Sequence, residues 1–262
     1  MKTPATDRPL GWGILSTARI SRRLIPAINS TGRSRVVAVA SRDEKRARDF
    51  AARWEIPRSF PSYEELLESP EVSAVYLPLP NSLHCEWAVR AAAAGKHLLV
   101  EKPLALSPAE VGRIAAAAAK HGVKILEAYA YRAHPQFLKL LELVRKGAVG
   151  RPKILRARYC FTLGAGETNI RWNKELGGGA LWDVGCYPVS FARAVAGEPP
   201  EAAFMSLRAG KTGVDVLGAG QLRFPDGLLA QIECGYSLSY GVGAEVVGEN
   251  GTLILPNPWQ PD

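Results

Sequence analysis

The chain has 262 residues, 47% hydrophobic and 22% charged, close to the averages of globular protein, which excludes disordered, collagen-like and disulfide-scaffold classes. Its 33 Lys and Arg against 25 Asp and Glu leave a net charge of +8, compatible with nucleic acid, an anionic membrane or a phosphorylated small molecule as partner. The length suits one large domain or two modest ones. No run reaches the roughly 18 apolar residues of a spanning helix, and the nine residues before Leu10 include Asp7 and Arg8, so neither a membrane span nor a leader is expected and the location is read as cytoplasmic. Cys85, Cys160, Cys186 and Cys234 form no C-x-x-C pair and read as reduced, mostly buried thiols, with no metal site expected.

Along the first half, short β-branched runs alternate with helical patterns. Strands are predicted at residues 11–15, 35–40, 72–77, 97–100 and 123–128. Pro26 falls inside the first helical pattern and predicts a bend or restart there. Ser62 with Glu65 forms a capping box, as do Ser107, Pro108 and Glu110, while Gly95 and Gly122 stand just past helix ends. This βαβαβ order predicts an α/β fold, a doubly wound parallel sheet of the nucleotide-binding Rossmann kind, over residues 1–128. From 129 to 262 the pattern changes. A helix at 135–146 leads to a long alternating strand at 152–163 and a G-G-G-A run at 177–180. Strands follow at 203–209, 216–224, 228–236, 244–247 and 252–255, joined by turns at 225–227 and 250–251, which predicts a mostly antiparallel sheet domain of α+β type.

Several motifs sit where an open α/β sheet takes its ligands, at the carboxyl ends of strands. The turn after the first strand, Ser16, Thr17, Ala18, Arg19 and Ile20, is a degenerate G-x-G-x-x-G with Ser16, Ala18 and Ser21 at the glycine positions, and predicts pyrophosphate binding at a helix N-terminus. The second strand ends in Ser41 and Arg42, with no carboxylate for a ribose hydroxyl. A hydroxyl and a guanidinium both donate to a phosphate, so NADP is expected over NAD. The third strand runs into Leu79, Pro80, Asn81 and His84, with Asn81 a plausible helix cap, and the fourth into Glu101, Lys102 and Pro103. Lys102, between a buried strand and a proline, is placed to donate to a reacting oxygen. The basic residues are scattered with no aromatic-interleaved stripe, so no nucleic-acid partner is expected.

S-T-A-R-I, S-R-D, P-N-S-L-H and E-K-P after successive strands, then E-A-Y-A-Y-R-A-H-P and G-G-G-A-L-W-D-V-G-C-Y-P, resemble the glucose-fructose oxidoreductase and inositol dehydrogenase family. The match is best to its branch of NADP-dependent D-xylose 1-dehydrogenases and trans-dihydrodiol dehydrogenases. The resemblance implies an open-faced sheet domain beside the Rossmann domain, with nicotinamide and substrate between them. It implies Lys102 as a catalytic residue, a Lys102–Pro103 bond that is often cis, and a homo-oligomer formed through the open sheet face. Where inositol dehydrogenases read D-x-x-x-H, this chain has Asp183 and, in place of the histidine, Tyr187, as that branch does. An ammonium favours a nearby phenolate, so Lys102 would lower the Tyr187 pKa and Tyr187 would act as acid and base, with Asp183 orienting substrate or Lys102. Arg171 and Trp172, with Asp183 and Tyr187, are the expected substrate residues. The implied activity is hydride transfer between NADP and the CH–OH carbon of a cyclic sugar or trans-diol. Family members normally continue past this chain's last strand, so the second domain is expected to be short, and the alternative is an inactive NADP-binding or sensing member.

Overall fold

The first strand, β1 (Leu10–Leu15), carries Ile14 and Leu15, both fully buried, into the middle of a six-stranded sheet. The computed structural model describes residues 9–164 and 169–259. The chain divides into two compact units, Met1–Ala128 and Tyr129–Asp262.

In the first unit β2 (Ser34–Ala40), β3 (Arg58–Phe60), β4 (Ala74–Leu77), β5 (His97–Val100) and β6 (Ile125–Glu127) join β1 in the order β3-β2-β1-β4-β5-β6. Every pair is parallel. This is the doubly wound order, and its direction reverses between β1 and β4. Neighbouring residues alternate between two cores: Leu15, Val75 and Leu77 pack with Leu66, Ala88 and Ala91, whereas Ile14, Val39 and Tyr76 pack with Ile25, Ile28 and Phe50. Burial on both faces is why these strands read as continuous apolar runs. The helices are α1 (Ser21–Asn29), α2 (Glu44–Arg53), α3 (Tyr63–Glu68), α4 (His84–Ala93) and α5 (Pro108–His121). The caps form as expected: the Ser62 hydroxyl accepts from the Glu65 amide at 3.2 Å, Ser107 from the Glu110 amide at 3.2 Å, and Gly122 ends α5 at φ +65°.

Two expectations need correction, and one strand goes unpredicted. Pro26 does not restart the first helix: α1 runs through it, because the carbonyl deprived of a partner, that of Arg22, lies in the exposed first turn. Asn81 does not cap α4. It opens a 3₁₀ turn, Asn81–Leu83, and Leu83 occupies the cap position with no side-chain bond. The three-residue strand β3 is absent from the sequence reading because it is too short to show a period.

In the second unit α6 (Pro135–Arg145) and α7 (Cys186–Ala196) lie with a sheet of β7 (Pro152–Thr162), β8 (Ala202–Ala209), β9 (Asp215–Arg223), β10 (Leu229–Gly235), β11 (Ser237–Gly248) and β12 (Thr252–Leu255), in the order β12-β11-β7-β10-β9-β8. All pairs are antiparallel except β7 with β10. The register puts Leu255, Ala244, Ala157, Ile232, Gly220 and Met205 in one row across the sheet. That face packs against Phe137 and Leu140 of α6 and Phe191 and Ala192 of α7. The adjacent residues form the opposite row, Ile254, Glu245, Arg156, Gln231, Gln221 and Phe204. This open face is polar at its centre, with an Arg156–Glu245 ion pair at 3.1 Å, and apolar at its edge strands, where Ile254 is 62% and Phe204 68% exposed. The face invoked for oligomer formation is therefore mixed rather than apolar throughout.

β11 is much longer than the predicted 244–247. Residues 237–243 are rich in Ser and Gly and show no alternation, yet β7 pairs with β11 from Ser237 to Gly248 across two register shifts. The helix α7, preceded by a π-helical turn Leu181–Gly185, goes unpredicted because Gly185 and Pro188 interrupt its pattern. Pro188 falls in the first turn of α7, directly after the π-helical turn, and fully buried Phe191 and Ala192 anchor the rest.

Candidate active site

At the end of β1 the backbone of Ser16 takes φ +118°, a conformation that glycine adopts freely and side chains resist. The serine hydroxyl donates to the Pro78 carbonyl at 3.2 Å and accepts from the Ala18 amide at 3.2 Å, so it joins the loops after β1 and β4, the two strands that flank the reversal. Thr17 and Ala18 are half-buried, and Arg19 and Ile20 are exposed. Helix α1 starts with no side-chain cap and no acidic residue in its first turn, so its positive end is left to an external anion. Ser21, at the third glycine position, is fully buried. After β2, Ser41 is buried and its hydroxyl accepts from the Asp43 amide at 3.2 Å. Asp43, the nearest acid, is engaged in capping α2 and pairing with Arg46. The exposed Arg42 guanidinium bonds the Tyr63 hydroxyl, whose pKa burial raises against the opposing pull of Arg42. A glycine-type turn, an uncapped helix end and a carboxylate-free strand end with a guanidinium fit a dinucleotide.

The loops after β4 and β5 meet at His84. Its ring is fully buried, with Nδ1 2.8 Å from the Pro103 carbonyl and Nε2 2.9 Å from the Leu79 carbonyl. Burial holds its pKa below the ordinary value, against the two carbonyls and Glu101. The Lys102–Pro103 bond is cis. Either side of it, the Tyr76 hydroxyl donates to Glu101 Oε1 at 2.5 Å and the Leu104 amide donates to Glu127 at 2.8 Å. Lys102 itself is half-buried, as are Pro80 and Asn81, while Leu79 is buried.

In the second unit Arg171 lies in a 3₁₀ turn, Ile170–Trp172, and Asp183 in the π-helical turn. They form a bidentate pair, Nε to Oδ2 at 2.6 Å and Nη2 to Oδ1 at 3.4 Å. Burial works against the Arg171 charge, but Asp183 outweighs it and raises the pKa. Glycines make the approach possible: a side chain at Gly178 would meet the carbonyls of Arg171 and Asn173 at 2.5 and 2.7 Å. Trp172 is half-buried, stands edge-on to Tyr236 at 5.5 Å, and donates to the Gly164 carbonyl at 3.4 Å. The Tyr236 hydroxyl donates to the Gly179 carbonyl at 3.0 Å, and burial together with Asp183 pushes its pKa up. Tyr187, in the first turn of α7, is half-buried among Tyr129, Tyr159 and Trp259, at ring distances of 5.4, 5.3 and 5.7 Å. Trp259 is buried and donates to the Arg158 carbonyl at 2.8 Å.

Within the first unit the structure brings Ser16 to Pro78 and His84 to both ligand loops. Within the second it brings Arg171 to Asp183 and sets Tyr187 in an aromatic wall. Tyr63, Tyr159, Tyr236 and Trp259 went unnoticed in the sequence. Tyr159 and Tyr236 carried a signal, since Tyr159 shares a face of β7 with buried Leu155 and Ala157, and Tyr236 continues the alternation of buried Ala230, Ile232 and Cys234 in the predicted strand 228–236. Among the described residues no group of three His, Cys, Asp or Glu is placed to hold a metal.

This fold and these strand-end motifs define a dinucleotide-binding oxidoreductase. Residues 10–129 match the family model described as an oxidoreductase family with an NAD-binding Rossmann fold, and residues 137–254 match the GFO/IDH/MocA C-terminal domain. The chain is 38% identical to a D-xylose 1-dehydrogenase (NADP(+)) of Haloferax volcanii over 86% of its length and 69% of the relative's. It is 34% identical to a trans-1,2-dihydrobenzene-1,2-diol dehydrogenase of Mus musculus, over 96% and 76%. Among solved structures, KijD10, a 3-ketoreductase from Actinomadura kijaniata in complex with NADP and TDP-benzene, superimposes with a TM-score of 0.90 at 32% identity, covering 97% of this chain and 78% of that one. The chain belongs to the Gfo/Idh/MocA family of NAD(P)-dependent oxidoreductases.

Proposed function

We propose that the protein transfers hydride between NADP and the CH–OH carbon of a cyclic sugar, an aldose such as xylose or glucose, or of a trans-diol, with Tyr187 and Lys102 as the acid/base pair. The observation that carries this reading is Lys102, held at the carboxyl end of β5 by bonds to the residues on both sides of it, on a sheet whose β2 is followed directly by Ser41 and Arg42. The relatives named for D-xylose and for a trans-dihydrodiol support the substrate class.

Bound nicotinamide supplies the hydride acceptor or donor. Tyr187 takes the hydroxyl proton when the carbinol is oxidised and returns it on reduction. The Lys102 ammonium favours the phenolate and donates to the reacting oxygen. Asp183, held by Arg171, orients the sugar, with Trp172 as a wall. Ser41 and Arg42 donate to the 2′-phosphate, so NAD is the weaker substitute. The protein works in the cytoplasm on a small carbohydrate or diol, without nucleic acid, and assembles as a homo-oligomer through the open sheet face, where Phe204 and Ile254 are exposed. Among the described residues no helix is long and apolar enough to cross a membrane.

The test is a panel of aldoses, inositols and trans-diols with NADP⁺, followed by absorbance of the reduced nicotinamide. Tyr187→Phe should cut kcat by about 10²–10⁴-fold, the usual worth of a positioned acid/base, and leave the NADP Kd within about twofold. Turnover unaffected by this change would remove Tyr187 from the chemistry.

A further inference from the structure

We propose that His84 is a positioning residue for Lys102: its buried imidazole, donating from Nδ1 to the Pro103 carbonyl, fixes the backbone that carries the lysine. The inference rests on the proposed role of Lys102.

The ring has no exposed surface, and both of its nitrogens face backbone carbonyls, those of Pro103 at 2.8 Å and Leu79 at 2.9 Å. These carbonyls belong to different loops, one after β4 and one after β5, both at ligand-side strand ends. The base of the ring is rigid, because α4 begins at His84 and sinks Cys85, Ala88, Ala91 and Ala92 into the core. The flanks of the lysine segment are held by Tyr76 on Glu101 and by Glu127 on the Leu104 amide. His84 holds the carbonyl between those two ties, one residue from Lys102. Burial opposes the doubly protonated ring, so one nitrogen carries the proton. With the proton on Nδ1 the Pro103 carbonyl is satisfied, and a buried carbonyl left without a donor would pull the segment out of place. Displacement of a catalytic group by about 1 Å is enough to cost roughly 10²-fold in rate.

Two replacements separate the contacts. In His84→Asn the amide nitrogen falls where Nδ1 lies and retains the Pro103 bond. In His84→Gln it falls where Nε2 lies and retains only the Leu79 contact. Two readouts apply: kcat with the best substrate of the panel, and the acetylation rate of Lys102 by acetic anhydride relative to the other lysines, read by mass spectrometry. His84→Gln should lower kcat at least tenfold and change the Lys102 acetylation rate. His84→Asn, which keeps the Pro103 bond, should change both by at least threefold less than His84→Gln does. Equal effects of the two variants on kcat and on Lys102 labelling, as expected of a histidine that only fills the core, overturn the proposal. In the wild-type protein, long-range ¹H–¹⁵N correlation should show a protonated Nδ1, and a bare Nδ1 also overturns it. If no substrate of the panel turns over, the proposed reaction fails, while labelling and nitrogen shifts still decide the role of His84.

Discussion

Ser16 occupies a backbone conformation, φ +118°, that its side chain disfavours. Such a residue carries strain of roughly 1–3 kcal/mol, partly offset here by its hydroxyl contacts to Pro78 and Ala18. Ser16→Gly should therefore stabilise the fold by about 1 kcal/mol, raising Tm by about 2–4 °C in calorimetry; an unchanged or lower Tm would show that the hydroxyl outweighs the strain. Arg42 governs the cofactor by its charge. Arg42→Asp places a carboxylate where a 2′-phosphate would sit, and the ratio of kcat/KM for NADP to that for NAD should fall by at least tenfold; a constant ratio removes Arg42 from phosphate recognition. The Ser16 turn and Arg42 were legible because each follows a strand directly. Tyr63, which the Arg42 guanidinium bonds, was not, since nothing in local spacing says that the start of α3 returns to the end of β2.

At the scale of elements, the glycine run 177–179 is explained by what lies against it. The Gly178 amide donates to the Asn173 carbonyl at 2.9 Å and the Gly179 amide to the Arg171 carbonyl at 3.1 Å, so the 3₁₀ turn bearing Arg171 is drawn onto the run. A Cβ at 178 would strike these carbonyls, which are backbone and cannot rotate away. Gly178→Ala should cost about 1–3 kcal/mol, read as a lower urea midpoint at constant slope. It should also weaken substrate affinity by separating Arg171 from Asp183. Wild-type stability in this variant would mean that the turn moves freely. Capping serines and buried parallel strands were readable in advance because caps and burial on both faces leave marks within a few residues. Besides the three-residue β3, two longer elements escaped, α7 and the first half of β11. In both, partners remote in sequence, a buried helix face and the full length of β7, supply stability that the local residues do not advertise.

For the whole molecule, acid stability is tied to His84. Burial puts its folded pKa below the ordinary 6.5, so between those two values the unfolded chain binds more protons. The contribution is complete above pH 6.5 and is lost as pH falls through that window. Urea midpoints should decline from pH 7.5 to 5.5, and His84→Asn should flatten the decline; a slope unchanged by the substitution would place the titrating group elsewhere. The sequence by itself determined the parallel sheet, its caps, the strand-end motifs and the family resemblance, because these rest on short-range periodicity and on motifs in a fixed order. Only tertiary structure decided that Arg171 grips Asp183 across 12 residues, that Trp259 packs on Tyr187, and that one histidine ring joins Leu79 to Pro103. Those contacts arise where the path of the chain brings distant segments within hydrogen-bonding or van der Waals range, and neither propensity nor spacing encodes that path.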